Sequence, residues 1–182
     1  MAKTAAGLLA HCKAQLGQLY WYGTFGQAPT LNLLNQKRAQ YPERITAARY
    51  DYAKKHHVGL PNTRVFDCAG LIKSYWMMDS PTAKPKYIAA YDKSANGLKA
   101  CCALKGPISK LPEQPGLLVF MDGHVGIYIG GGKVVEARGF DYGVVETNLK
   151  ARPWLEWGAL SWLENEPKTE KEETCKCDCC KK

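Results

Sequence analysis

No stretch of the sequence approaches the roughly 20 consecutive apolar residues of a membrane-spanning helix, which excludes an integral membrane protein of that kind. No block of five or more Lys/Arg is present, nor any RNP, zinc-finger or basic-helix signature. Nucleic acid is therefore not an expected partner. A convincing secretory leader is also missing. The N-terminal apolar stretch MAKTAAGLLAHCKAQLG is broken by His11 and Lys13, and no small-residue cleavage site follows it. That segment is expected to be the first helix of the fold. Internal repeats are absent. From Glu164 onward, ENEPKTEKEETCKCDCCKK contains no aromatic or large aliphatic residue and cannot offset its own ordering entropy by burial.

What remains is enough for one domain. The chain has 182 residues, 46% apolar and 23% charged, and a domain of that size buries roughly 70% of its unfolded surface without a metal or disulfide staple. The expected division is a domain over 1–163 and a flexible, charged, Cys-rich extension over 164–182. The net charge of +8 favours polyanionic surroundings such as nucleic acid, anionic lipid or an anionic cell wall. The eight cysteines come without a secretory signal, so mostly free thiols are expected.

Periodicity predicts helices over 4–16, 31–41, 50–56 and 68–78, and a short one near 98–103. Residues 19–27, LYWYGTFGQ, read as an aromatic, glycine-rich loop. The pattern then changes. Strands are predicted over 116–121, 124–129, 133–138 and 143–149, the middle two forming a hairpin around Gly130-Gly131-Gly132. Helices followed by strands argue for an α+β fold with one antiparallel sheet.

Chemistry gathers in two stretches. FDCAGLIKSYW (66–76) puts Cys68 at the start of an amphipathic helix. Unpaired N–H groups and the helix dipole there would stabilise a thiolate, the nucleophilic form. A buried core cysteine is the alternative. GHVGIYIGGGKVVEARG (123–139) starts a strand at His124, with Val125, Ile127 and Ile129 on one face and His124, Gly126 and Tyr128 on the other. Such a His can be a surface residue or the proton carrier of a Cys–His pair. Glu136 depends on register. A three-residue glycine loop sets Gly126 opposite Glu136 and His124 opposite Arg138, with room beside Gly126 for the carboxylate to reach the ring. A two-residue loop would turn Glu136 to the other face. Pairing with Arg138 at the surface is the competing role for Glu136.

FDCAGL, GHVGIYIGGGKVVEA and the upstream GQLYWYG together resemble the NlpC/P60 family of papain-like cysteine peptidases, over residues 4–163. The resemblance implies a papain-like domain, helices packed on a central antiparallel sheet, that hydrolyses peptidoglycan stem peptides without a cofactor. It implies Cys68 as nucleophile, His124 as general base and acid, and Glu136 as the residue orienting the ring. Tyr20 matches the family's loop tyrosine near nucleophile and substrate. Asp67 matches the acidic residue that in several members meets the stem peptide's free amino group. Ala69 stands where the family usually has Ser, and Glu136 where His is commonest. The segment 28–62 is longer than a minimal core requires.

The resulting expectation is a monomeric thiol protease acting on bacterial peptidoglycan, a phage-type (endolysin) or effector-type wall hydrolase. It would reach the wall by lysis or a non-classical route, and would otherwise be cytoplasmic. Acyl transfer or non-wall amide hydrolysis on the same scaffold, and a non-catalytic wall-binding module, are the rival readings. In the tail, the Cys177 and Cys180 spacing permits a soft metal, but a structural site usually draws on two separated pairs, so no metal site is expected.

Overall fold

The computed structural model describes residues 3–164. The predicted tail, with its CKCDCC run, lies outside the described residues from 165 onward. Five α-helices are present among the described residues: α1 (Ala5–Lys13), α2 (Leu31–Gln40), α3 (Ala47–His56), α4 (Cys68–Met77) and α5 (Ala95–Ala100). Four of them begin at a Ser/Thr whose side chain takes up a first-turn N–H: Thr4, Thr30, Thr46 and Ser94. None is long and apolar enough to cross a membrane.

The strands are β1 (Leu19–Tyr20), β2 (Phe25–Gln27), β3 (Val65–Phe66), β4 (Cys102–Pro107), β5 (Leu118–Met121), β6 (His124–Gly130), β7 (Lys133–Gly139), β8 (Gly143–Asn148) and β9 (Glu156–Leu160). The fold is α+β as expected, but it has two sheets rather than one. The large one is antiparallel, in the order β4-β9-β5-β6-β7-β8; the small one runs β1-β3-β2, with β1 and β3 parallel. The "loop" over 19–27 therefore contributes two short strands. The short helix starts at Ala95 rather than near Leu98, and residues 102–107 are strand.

Both faces of the large sheet are covered. Val125, Ile127, Val135 and Ala137 pack with Leu71, Ile72 and Trp76 of α4 and Leu8 and Cys12 of α1. The opposite face carries a smaller cluster of Leu117, Val119, Tyr128, Val134 and Trp154. Segment 28–62 has its own small core. Leu34 of α2, Ile45 and Ala53 of α3 close over Trp21 and Val65, and the Trp21 Nε1–H donates to His57 Nδ1 at 3.1 Å. That contact ties the segment to the aromatic loop.

The β6–β7 hairpin resolves the register question in an unexpected way. Its turn has two residues, Gly131 and Gly132, both at positive φ, with Gly130 opposite Lys133. A bulge between Tyr128 and Gly130 then shifts the pairing, so that Ile127 faces Val135. Extending that register sets Gly126 opposite Glu136. The turn is the two-residue one, and the bulge restores the face that such a turn alone would have reversed.

Candidate active site

Two short devices bring Cys68 and His124 together. The first is the N-cap of α4. Asp67 Oδ1 accepts the Gly70 N–H at 2.5 Å, and Oδ2 accepts the Gly23 N–H at 2.9 Å. One carboxylate thus starts the helix and pins the aromatic loop against it. The fit is close: a Cβ on Gly70 would lie 1.8 Å from the Thr24 carbonyl oxygen. The second device is the two-residue Asp122-Gly123 turn between β5 and β6, which pairs Met121 with His124. Its Gly123 carbonyl lies 3.9 Å from the Cys68 Sγ. Cys68, Gly123 and His124 consequently line one cavity, together with Tyr20, Tyr22 and Phe140.

Glu136 has no exposed surface. Its Oε2 lies 2.6 Å from His124 Nε2, leaving Nδ1 as the ring nitrogen not engaged by the carboxylate. Thr147 on β8 donates to Oε1 at 2.8 Å, and the Arg152 guanidinium reaches Oε1 and Oε2 at 3.2 and 3.3 Å. Arg138 is not its partner; that guanidinium lies 4.0 Å over the Tyr142 ring. The space beside Gly126 is not held open for the carboxylate either. A Cβ there would strike Val134 and Trp154. Trp154 stacks on the His124 ring, with centroids 5.6 Å apart and planes at 23°. Thr147, Arg152 and Trp154 escaped the sequence reading. The register of β8, with Val145 opposite Glu136, was the signal available for Thr147.

The electrostatics differ from the helix-dipole argument. Burial, and secondarily the Asp67 carboxylate, push the Cys68 thiol up to about 12, against the backbone N–H groups of Val125, Ala69 and Cys68 itself that favour the thiolate. At a fully exposed helix start the dipole would prevail; here only 8% of the residue is exposed. Burial raises Glu136 too, but its hydrogen bonds from His124 and Thr147 and the charge of Arg152 hold it below the ordinary carboxylate range. Burial is also the main cause that raises the Tyr20 phenol, with Cys68 and Asp67 adding to it.

The space around Cys68 is a groove of two lobes sharing Tyr22, Cys68 and Gly123. The lobe holding His124, about 310 Å³, is lined by the aromatic residues Tyr20, Trp21, Tyr22 and Phe140 and by Arg44 and Arg49. The other, about 500 Å³, is polar and lined by Asp67, Lys73, Asp92 and Lys37. Segment 28–62 forms a wall of both, through Lys37, Gln40 and Tyr41 on one side and Leu34, Arg44 and Ile45 on the other. Asp67 lines the polar lobe, but both its oxygens already accept backbone N–H groups. Cys12, Cys68, Cys101 and Cys102 are free. No group of three or more His, Cys, Asp or Glu suited to a metal occurs among the described residues.

The sequence profile of the NlpC/P60 family matches residues 48–161. A probable endopeptidase p60 from Listeria grayi is 32% identical over 142 residues, covering 72% of this chain and 25% of that protein. NlpC2 from Trichomonas vaginalis superimposes with a TM-score of 0.51 at 14% identity, over 88% of this chain and 47% of that one. NlpC1 from the same organism gives 0.50 at 15% identity, over 88% and 45%. At such identities the structural likeness is one of fold. The chain spans about a quarter of the length of its Listeria relative and under half of either Trichomonas chain.

Proposed function

The chain belongs to the NlpC/P60 family, and from that premise we propose that it is a cysteine endopeptidase hydrolysing an amide bond in the peptide stems of peptidoglycan through an acyl-enzyme on Cys68. The observation that carries this reading is the convergence on one cavity of a helix-start thiol and an imidazole whose far nitrogen is held by a buried carboxylate.

In the first half-reaction His124 Nδ1 takes the Cys68 proton as Sγ attacks the scissile carbonyl carbon. The carbonyl oxygen becomes an oxyanion facing the Cys68 and Ala69 N–H groups at the start of α4, which lack intrahelical partners. The C–N bond breaks, His124 returns the proton to the leaving amine, and a thioester remains. Water then gives a proton to His124 and its oxygen to the thioester carbon. The acid leaves and the thiol is restored. Glu136 keeps the ring in the orientation that presents Nδ1 and supports the imidazolium between the two transfers.

Tyr20 serves as a contact beside the nucleophile, and Asp67 as the anionic end of the polar lobe, where a stem peptide's amino group would sit. Asp67 carries a second duty as the cap of α4, so substitutions there test folding as well as binding. An anionic wall suits the net charge of +8, and the wall is the proposed place of action.

Purified peptidoglycan is digested with wild type and with Cys68→Ser, and new amino and carboxyl termini are identified by mass spectrometry. New termini made only by the wild type support the proposal. Identical profiles would reject it in favour of a non-catalytic module or a non-wall substrate.

A further inference from the structure

The carboxylate that holds His124 is itself held by a guanidinium and a hydroxyl, and that arrangement has electrostatic consequences. Glu136 is wholly buried, where an unpaired anion is very unfavourable. His124 is neutral for part of any cycle in which it carries a proton, so it cannot balance Glu136 throughout. Arg152 is charged at every accessible pH and contacts both carboxylate oxygens.

We propose that Arg152 is a positioning residue that draws part of the Glu136 charge away from the ring and so limits how tightly Glu136 holds the imidazolium, while Thr147 fixes the carboxylate's plane. This inference rests on the proposed roles of Cys68 and His124. Without Arg152, the uncompensated field of a buried carboxylate 2.6 Å from the ring would fall on His124 alone. The imidazolium would then form readily and give up its proton reluctantly. With Arg152 present, part of that field ends on the guanidinium, and the ring can both accept and release a proton. Thr147 offers no charge. Its Oγ1–H takes one lone pair of Oε1, leaving Oε2 aimed at the ring.

The other charged or titratable groups facing the pair are few. Cys68 at α4, Tyr20 on β1, and Arg44 and Arg49 from segment 28–62 share the cavity with His124. On β7, Arg138 is engaged by Tyr142. Trp154 covers one face of the ring without adding charge. Arg152 is therefore the cation in direct contact with Glu136, and its removal acts on a defined charge.

The test reads Cys68 directly and requires no substrate. The full chain is treated with iodoacetamide from pH 5 to 9, and alkylation of the Cys68-containing peptide is timed by mass spectrometry. In Arg152→Gln, imidazolium is favoured, the thiolate–imidazolium pair is more populated, and Cys68 alkylates about tenfold faster near pH 6. Peptidoglycan turnover falls in the same variant, because the proton is poorly returned to the leaving amine. Arg152→Lys keeps the charge and stays within about threefold of wild type at every pH. Thr147→Val lowers turnover without moving the pH dependence of alkylation. Arg152→Gln alkylation equal to or slower than wild type, with circular dichroism unchanged, overturns the proposal. If Arg152→Gln does not fold, Arg152→Lys decides: a profile displaced beyond threefold refutes the charge role and a retained one supports it. Failure of peptidoglycan cleavage by the wild type would strike the proposed substrate, and leaves the alkylation result readable.

Discussion

His11 provides a quantitative check on the packing that underlies α4. It sits on α1, 3% exposed, with Nε2 2.8 Å from Ser74 Oγ. Ser74 donates its single proton to the Leu71 carbonyl, so the histidine must be the donor in this bond, as the neutral Nε2–H tautomer. Burial, reinforced by Lys3 and Arg64, lowers its pKa from 6.5 to about 4. Between those values the unfolded chain binds a proton that the folded chain refuses. The stability linked to His11 is thus fully present above pH 6.5 and is lost as the pH falls toward 4. The loss is near zero at pH 7.5 and about 2–3 kcal/mol at pH 4.5. His11→Gln keeps a donor for Ser74 and removes the titration. Urea unfolding of both proteins at both pH values isolates the effect, since the other titrating groups cancel in the double difference. Wild type should lose about 2–3 kcal/mol more than the variant on acidification. A double difference below about 0.5 kcal/mol would mean that His11 takes up its proton in the folded state, and the burial argument would fall.

Three further outcomes follow from the geometry. Glu136→Ala should lower peptidoglycan turnover by about 100-fold, whereas Arg138→Ala should stay within about threefold of wild type; equal small effects would return Glu136 to a merely structural role. Gly70→Ala drives a methyl into the Thr24 carbonyl and should destabilise by about 3 kcal/mol, read as a lowered urea midpoint; an unchanged midpoint would mean that the aromatic loop is not clamped to α4. Asp67→Asn keeps an acceptor for one N–H but loses the charge, and it should accelerate Cys68 alkylation near neutral pH, because the carboxylate beside the thiol raises it; slower alkylation would contradict that sign.

Short-range patterns were legible in the sequence because the information they carry is local. Helical spacing in FDCAGLIKSYW located α4 to within one residue, and alternation after His124 assigned the two faces of β6. Strands β1 and β3 have two residues each, too few for any period. Strand β4 ends in Pro107 and has several exposed residues in succession, so it shows no alternation, and its pairing with β9 contains an irregularity. The face of Glu136 could not be fixed from the glycine run alone, because a bulge and a loop residue exchange roles without changing the sequence pattern. Arg152 and Trp154 lie between β8 and β9, a stretch with no periodicity, and reach His124 and Glu136 only through the fold. The thiol's environment was hidden for a similar reason. A helix start is visible in the sequence; the burial that outweighs it is not.

The raised thiol bears on how the proposed reaction begins. With Cys68 pushed up to about 12, the resting protein holds a thiol rather than a standing thiolate. Proton transfer to His124 must then accompany attack, at a time when a substrate carbonyl and the first-turn N–H groups of α4 can receive the developing charge. An imidazole held too weakly would not take the proton, and one held too strongly would not return it to the leaving amine. The Glu136, Thr147 and Arg152 cluster can set that balance without touching the substrate, since none of the three lines the groove. One wall of the groove comes instead from α2, the turn after it and the start of α3, mostly ahead of the segment matched by the family profile. Under the proposed function, that wall can bear on substrate choice without touching the Glu136, Thr147 and Arg152 cluster. Substitutions at Lys37 or Arg44 should alter which peptides are cut while leaving the pH dependence of Cys68 alkylation in place.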